Sequence, residues 1–200
     1  VEKLKKEFGI LGEELFYHTH GIDLSMIKDK HLLRTEAKSY GISQVLFRDY
    51  DAKDIFIIIQ EMVDDVTRRL RLARKKCKTI TLGIMYSKDY QGGFHRQISL
   101  PHGTSNESII YQTCLEIFEC YYENLPIRKV SVSLTNFDHS KVHQYSLFED
   151  EEALEKEKEL QYTLDKIKNK FGKNAVLRAT SLAEGSTVKD RNKQIGGHHV

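Results

Sequence analysis

Three stretches of this chain place small hydroxyl, amide and cationic side chains at every second position. In "KTITLGIMYS", Thr79, Thr81 and Gly83 fall on one side of an extended strand and Ile80, Leu82 and Ile84 on the other. "IRKVSVSLTNF" repeats the pattern, with Lys129, Ser131, Ser133 and Thr135 opposite Val130, Val132 and Leu134, and "GFHRQISLP" adds His95, Gln97 and Ser99. A sheet face of this composition can lie against a sugar-phosphate backbone, because it offers donors without bulk or negative charge. A merely solvated face of an antiparallel sheet has the same composition, so both readings stand at this point.

A second stretch, "HQYSLFEDEE", sets Gln144, Tyr145, Ser146, Leu147 and Phe148 before an acidic run. Such an apolar cluster is either the end of a core strand or a docking peptide. The docking reading has an amide that both donates and accepts, and two apolar anchors for a pocket. The carboxylates of "EDEEALEKEKE" read as a solvated helix face. Two-metal phosphoryl transfer needs carboxylates a few ångströms apart on rigid elements, which an acidic helix does not supply. The chain has 9 histidines, but His18 with His20 and His198 with His199 lack the i, i+4 spacing of a helical metal site, and no metal ligand set is expected.

These groups must be positioned by ordinary elements. "LKKEFGILGEELFYHTHGID" has a helical apolar pattern broken at Gly9 and Gly12, which predicts a helix, a tight glycine hairpin and a second helix. Such a hairpin can aim backbone N–H groups at a phosphate, or be a plain helical corner. Residues 24–36 lack a period and read as a linker. "KSYGISQVL" is a strand candidate. From Asp54, the residues Ile55, Ile58, Ile59, Met62, Val66 and Leu70 recur at helical spacing, and the helix ends in the basic "RLARKK". Two strands follow around "KDYQGG", then a helix opened by Thr104 and Glu107 at capping-box spacing, then the fourth strand. Strand, helix, strand, strand, helix, strand predicts an α+β domain: one four-stranded sheet with two helices on one face. Beyond it, Leu160, Leu164, Ile167 and Phe171 make an apolar stripe stopped by Gly172; "AVLRATSL" is a strand candidate, and Ala183 to Val200 reads as a mobile tail.

Composition bounds the rest. With 200 residues and 40% hydrophobic character the chain can bury a core, and its net charge of +2 does not by itself announce a nucleic-acid partner. The longest apolar run, Ile55 to Ile59, is far too short for a bilayer, so no membrane is expected. Cys77, Cys114 and Cys120, odd in number and without CxxC spacing, read as reduced core thiols of a cytoplasmic protein. The chain opens on Val1, as a fragment would.

Taken in order, these segments resemble the C-terminal part of a bacterial Y-family translesion DNA polymerase of the UmuC-like (ImpB/MucB/SamB) branch. "FGILGEEL" with "HGID" is similar to the helix-hairpin-helix of that family's thumb. "KSYGISQVL" resembles the Lys-Ser-x-Gly strand that begins its little finger, and "LPHG" and "IRKVSVSL" resemble later parts of that domain. "QYSLF" resembles the peptide that binds the replicative sliding clamp, with Tyr145 in place of the usual Leu; "RATSL" and "IGGH" resemble the tail of this branch.

The resemblance implies a thumb end over 1–23, a linker over 24–36, a little finger over 37–138, a clamp-docking segment over 139–149 and a helical tail over 150–200. It implies contact with template-primer DNA through Gly9, Gly12, Lys38, Ser39, Gly41, Ser43, His95, Arg96, Gln97, Arg128, Lys129, Ser131 and Ser133, and with the clamp through Gln144, Tyr145, Ser146, Leu147 and Phe148. Accessory subunits of the parent polymerase are further candidate partners. Magnesium is expected for the parent enzyme and no cofactor for this fragment, since the palm carboxylates of the family would precede Val1. The rival reading is a protein-interaction module that never touches DNA. A positive sheet face near Lys129, His95 and Lys38 would discriminate between them.

Overall fold

The computed structural model of the chain describes residues 1–23, 25, 26, 28, 36–138 and 151–194. Two compact units are present, Val1–Ala37 and Lys38–Val200. In the first, α1 (Glu2–Phe8) and α2 (Ile10–Thr19) fold back on each other at Gly9, whose φ of 63° is in the left-handed region that glycine enters without strain. Gly12 lies inside α2, where an added Cβ would collide with the Leu4 carbonyl oxygen, so it lets the two helices approach. Lys5 and Glu13 close the hairpin with an ion pair of 2.6 Å.

The second unit contains β1 (Ser39–Tyr50), α3 (Ala52–Leu72), β2 (Lys76–Tyr86), β3 (Gly93–Thr104), α4 (Glu107–Tyr121), β4 (Ile127–Asp138), α5 (Glu151–Phe171) and α6 (Val188–Arg191). The four strands form one antiparallel sheet in the order β1-β4-β2-β3. Ile80 and Leu82 of β2 and Val130, Val132 and Leu134 of β4 are fully buried, with Ile84 nearly so, against Ile55, Ile58, Ile59, Met62, Val66 and Leu70 of α3 and Ile110, Cys114, Ile117 and Phe118 of α4. The fold is therefore the expected α+β arrangement, with two helices on one face of the sheet. Asp51 caps α3 by accepting from the Lys53 and Asp54 amides, so this helix starts slightly earlier than its apolar period.

Several local expectations give way to other chemistry. The cap of α4 is Asn106, which accepts from the Ile109 amide; β3 runs on to Thr104, and Glu107 is turned toward Arg178 instead of completing a capping box. The strand expected in "AVLRATSL" is absent: Ala179–Leu182 is a single 3₁₀ turn, and Val176 and Leu177 are half-buried singly instead of forming a two-residue repeat. Burial pushes the Cys77 and Cys114 thiols up to about 12, as core residues, whereas Cys120 is exposed on α4.

The tail is the largest departure. On α5 the buried positions are Gln161, Asp165 and Lys168, while Leu160 and Phe171 of the expected stripe are exposed. Arg71 of α3 donates to Asp165 through Nε (2.7 Å) and a terminal nitrogen (2.9 Å), both side chains being almost fully buried. Lys168 pairs with Asp64 at 2.5 Å, Lys173 with Asp65 at 3.2 Å, and Arg178 with Glu107 at 2.6 Å. Further on, the Ser186 hydroxyl and Thr187 amide donate to Glu61, and Arg191 donates to Gln44 at 3.2 Å. Residues 183–194, expected to be mobile, are thus docked by buried Thr187 and Val188. The result is three layers: sheet, helix pair, and a tail held on the outer side of α3 and α4.

Candidate nucleic-acid interface

The register of the sheet assembles the polar positions into transverse rows. One row is Ser39, Thr135, Thr79 and Ser99; the next is Gly41, Ser133, Thr81 and Gln97; the third is Ser43, Ser131, Gly83 and His95. All twelve project from the face opposite α3 and α4, and no carboxylate is among them. A fourth row adds Val45, Lys129, Met85 and Gly93. Lys129 thus stands beside the His95 row, and the exposed Lys38 immediately precedes the first row.

Exposure within the face is uneven. The β1 residues Ser39, Gly41 and Ser43 and the β3 residues His95, Gln97 and Ser99 are exposed; Lys129, Ser131, Ser133 and Thr135 are half-buried. Thr79 and Thr81, on the central strand, are buried among their neighbours, and the Thr79 and Ser99 hydroxyls are 2.9 Å apart. Gly83 is a packing necessity: a Cβ there would strike the Ser131 hydroxyl and lie 2.8 Å from His95 Cδ2. The donors that reach outward are therefore those of the flanking strands, with the half-buried Lys129 on the inner strand β4.

Four sequence-predicted contacts fall elsewhere. Arg96 pairs in register with core-facing Leu82, so it lies on the helix side of the sheet, and its guanidinium sits 5.1 Å from the Tyr121 ring centroid. Arg128 occupies the irregularity between the Met85 and Tyr86 pairings and meets Asp49 at 3.4 Å, which offsets its charge. Gly9 and Gly12 spend their amides inside the hairpin, donating to Lys5 and Gly9 carbonyls at 2.9 and 3.1 Å, so neither is left to take a phosphate. Conversely, the alternation continues to Val45 and Met85, both more than half exposed, beyond the positions expected from the sequence. The docking peptide Gln144, Tyr145, Ser146, Leu147 and Phe148 lies outside the described residues, as does most of the 24–36 linker.

The family model described as the impB/mucB/samB family C-terminal domain matches residues 37–147. The chain belongs to the impB/mucB/samB family. In this family member, the matched segment begins two residues before β1 and takes in the whole sheet and both of its helices, whereas the docked tail from α5 onward lies beyond it. The UvrX protein of Bacillus subtilis (strain 168) is 42% identical over 200 residues, 99% of this chain and 47% of that protein. A DNA polymerase IV 2 of Halalkalibacterium halodurans is 32% identical over 201 residues, 100% of this chain and 48% of that one. The impB/mucB/samB chain therefore spans about half the length of the curated relatives it matches. A solved complex of beta-clamp processivity factor and little finger domain of PolIV contains a similar chain, at 14% identity and a TM-score of 0.43, covering 56% of this chain and 99% of that one.

Among the described residues, no three His, Cys, Asp or Glu side chains are grouped as a cation would require. Glu61, Asp64 and Asp65 of α3 and Glu107 of α4 are each engaged by a partner in the tail. No described helix is long and apolar enough to cross a membrane.

Proposed function

We propose that this chain is the DNA-holding part of a translesion polymerase, and that the face opposite α3 and α4 grips template-primer DNA by its backbone. The observation that carries the reading is the carboxylate-free set of rows, which includes His95 and is bordered by Lys129 and Lys38. A phosphate strand crossing it meets hydroxyl, amide and imidazole donors of low bulk, and Gln97 is the one exposed side-chain amide in the three rows. That suits an enzyme crossing damaged bases, which must hold the strand without reading it. The relatives named as a UV-damage repair protein and as a DNA polymerase support a role in DNA repair.

Electrophoretic titration with primer-template DNA at two salt concentrations tests the grip. Lys129→Ala is expected to weaken binding about equally across sequences and to reduce the log-log salt slope by roughly 0.9, the value of one phosphate contact. An unchanged slope, with the fold intact by circular dichroism, would place the DNA elsewhere.

A second reading concerns Gln144, Leu147 and Phe148. The segment 139–150 runs between β4, whose Asp138 pairs with Lys78 at 3.5 Å, and the docked α5. We assign Gln144, Leu147 and Phe148 to the pocket of the bacterial replicative sliding clamp, with Phe148 as principal anchor. Phe148→Ala is expected to cost on the order of 2 kcal/mol or more of clamp binding and to leave the melting temperature unchanged. A large fall in stability with unchanged clamp affinity would return Phe148 to the core.

A further inference from the structure

The polar face does not end flat. Beyond the His95 row, next to the turn that joins β2 to β3, lies an open concavity of about 660 Å³. Its floor and walls include Met85, Gly92 and Gly93, with Lys129, His95 and Ser131 on the side shared with the rows. Gly93 is required where β3 meets β2 at its edge: its φ is 141°, and an added Cβ would run into the Ile84 carbonyl oxygen. Met85, 52% exposed, turns an apolar thioether arm toward solvent in the row that also holds Val45 and Lys129, next to rows of hydroxyls and amides.

This end of the face does not suit a phosphate strand, since Met85 and the glycines offer no side-chain donor and a charged backbone laid over them would lose hydration without replacement. A base is different: its flat face gains by leaving water against Met85, and its own phosphate can stay at the rim on Lys129. Lys88 also lines the hollow, and none of its lining residues is a carboxylate, so the electrostatics favour an anionic ligand over a neutral or basic protein segment. Continuity decides the source, because Gly83, His95 and Ser131 belong both to the third row and to the hollow.

We propose that this hollow receives one unpaired nucleotide of the bound DNA, swung out of the duplex, with its base against Met85 and its phosphate on Lys129. This inference rests on the backbone-gripping reading given above. Its physical advantage is that an already unpaired or damaged nucleotide costs little to unstack, so the hollow favours DNA carrying one over an intact duplex.

The test uses the full 200-residue chain and two duplexes of equal length, one fully paired and one with a single unpaired adenosine. The unpaired site is expected to raise affinity roughly five- to tenfold, in the range that stacking one base against a side chain supplies. Met85→Ser, at an exposed position outside the core, is expected to abolish that preference while the fold stays intact by circular dichroism. Equal binding of the two duplexes by the unmodified chain overturns this inference and leaves the backbone grip standing. Failure to bind either duplex overturns both. Displacement of the unpaired-site duplex by deoxyadenosine monophosphate as effectively as by unlabelled duplex would overturn the inference in favour of a free nucleotide.

Discussion

Both sides of α3 are covered, but by different chemistry. Toward the sheet, Ile55, Ile58, Ile59, Met62, Val66 and Leu70 are fully buried among aliphatic and aromatic neighbours. Away from it, Glu61, Asp64, Asp65 and Arg71 are matched one by one to Ser186, Lys168, Lys173 and Asp165 of the tail. The first contact is non-directional and proportional to the apolar area removed from water. The second is directional, and its favourable Coulomb energy is largely offset by desolvation. The sheet layer therefore supplies most of the folding free energy, while the tail layer is specified by partner geometry and is the weaker bond.

The tail network also shows how burial and pairing compete within a single residue. Burial works to lower the Arg71 pKa, but the hydrogen bond and charge of Asp165 outweigh it and raise it. Arg191 has no such bidentate partner; burial wins there and lowers its pKa, despite the nearby Glu61. An Arg forked onto a carboxylate is thus held charged more firmly than one that shares a carboxylate at 3.7 Å.

The sharpest way to break the comparison is one truncation on each side of α3. Ile59→Ala is expected to cost about 2–5 kcal/mol and to lower the protection of every slow amide together, because the cavity lies in the shared core. Arg71→Met removes one partner of a buried pair, a loss of roughly 3–5 kcal/mol to the docked tail. Its effect should be local: hydrogen exchange accelerates in α5, while amides of β2 and β4 keep their protection. Arg71→Met combined with Asp165→Leu should recover most of the docking, since an apolar pair can replace a buried ionic one. If Arg71→Met instead deprotects β2 and β4 as much as α5, the two layers form one cooperative unit and the contrast drawn here is wrong.

The same contrast explains which parts were legible in the sequence. Element order, the helical stripe of α3 and the alternation in β2 and β4 were readable because apolar burial leaves a period in the chain. On α5 the period misled: Leu160 and Phe171 looked like the buried stripe, yet Gln161, Asp165 and Lys168 are inside. A polar interface has no periodic signature, because each residue is buried for the sake of one partner about a hundred positions away, as Asp165 is for Arg71. On the candidate site, parity alone would have moved Arg96 off the face, since His95 and Gln97 flank it. It would also have carried the face on to Val45 and Met85. Register, which depends on the partner strand, was needed to place Lys129 beside Met85.

The smallest expected effect probes the polar layer through Glu107. Burial raises its pKa, helped by the neighbouring charge of Asp64, while the charge and hydrogen bond of Arg178 pull it back without cancelling the rise. Between the ordinary value of 4.5 and the raised one, the folded chain keeps a proton that the unfolded chain has released. Stability therefore falls as pH rises through that window, and the contribution is fully present only below it. Arg178 is half exposed, so its pair with Glu107 contributes only ~0–1 kcal/mol, which is why pairing does not reverse the sign. Glu107→Gln keeps the shape and removes the titration. Denaturant unfolding of both proteins from pH 4 to 7 isolates this residue, because all other titrating groups cancel in the difference. The unmodified chain should lose ground to Glu107→Gln as pH rises, by less than about 1 kcal/mol at pH 7. Parallel curves would mean that Arg178 fully offsets the burial, and the opposite slope would make this pair a net stabiliser of the tail.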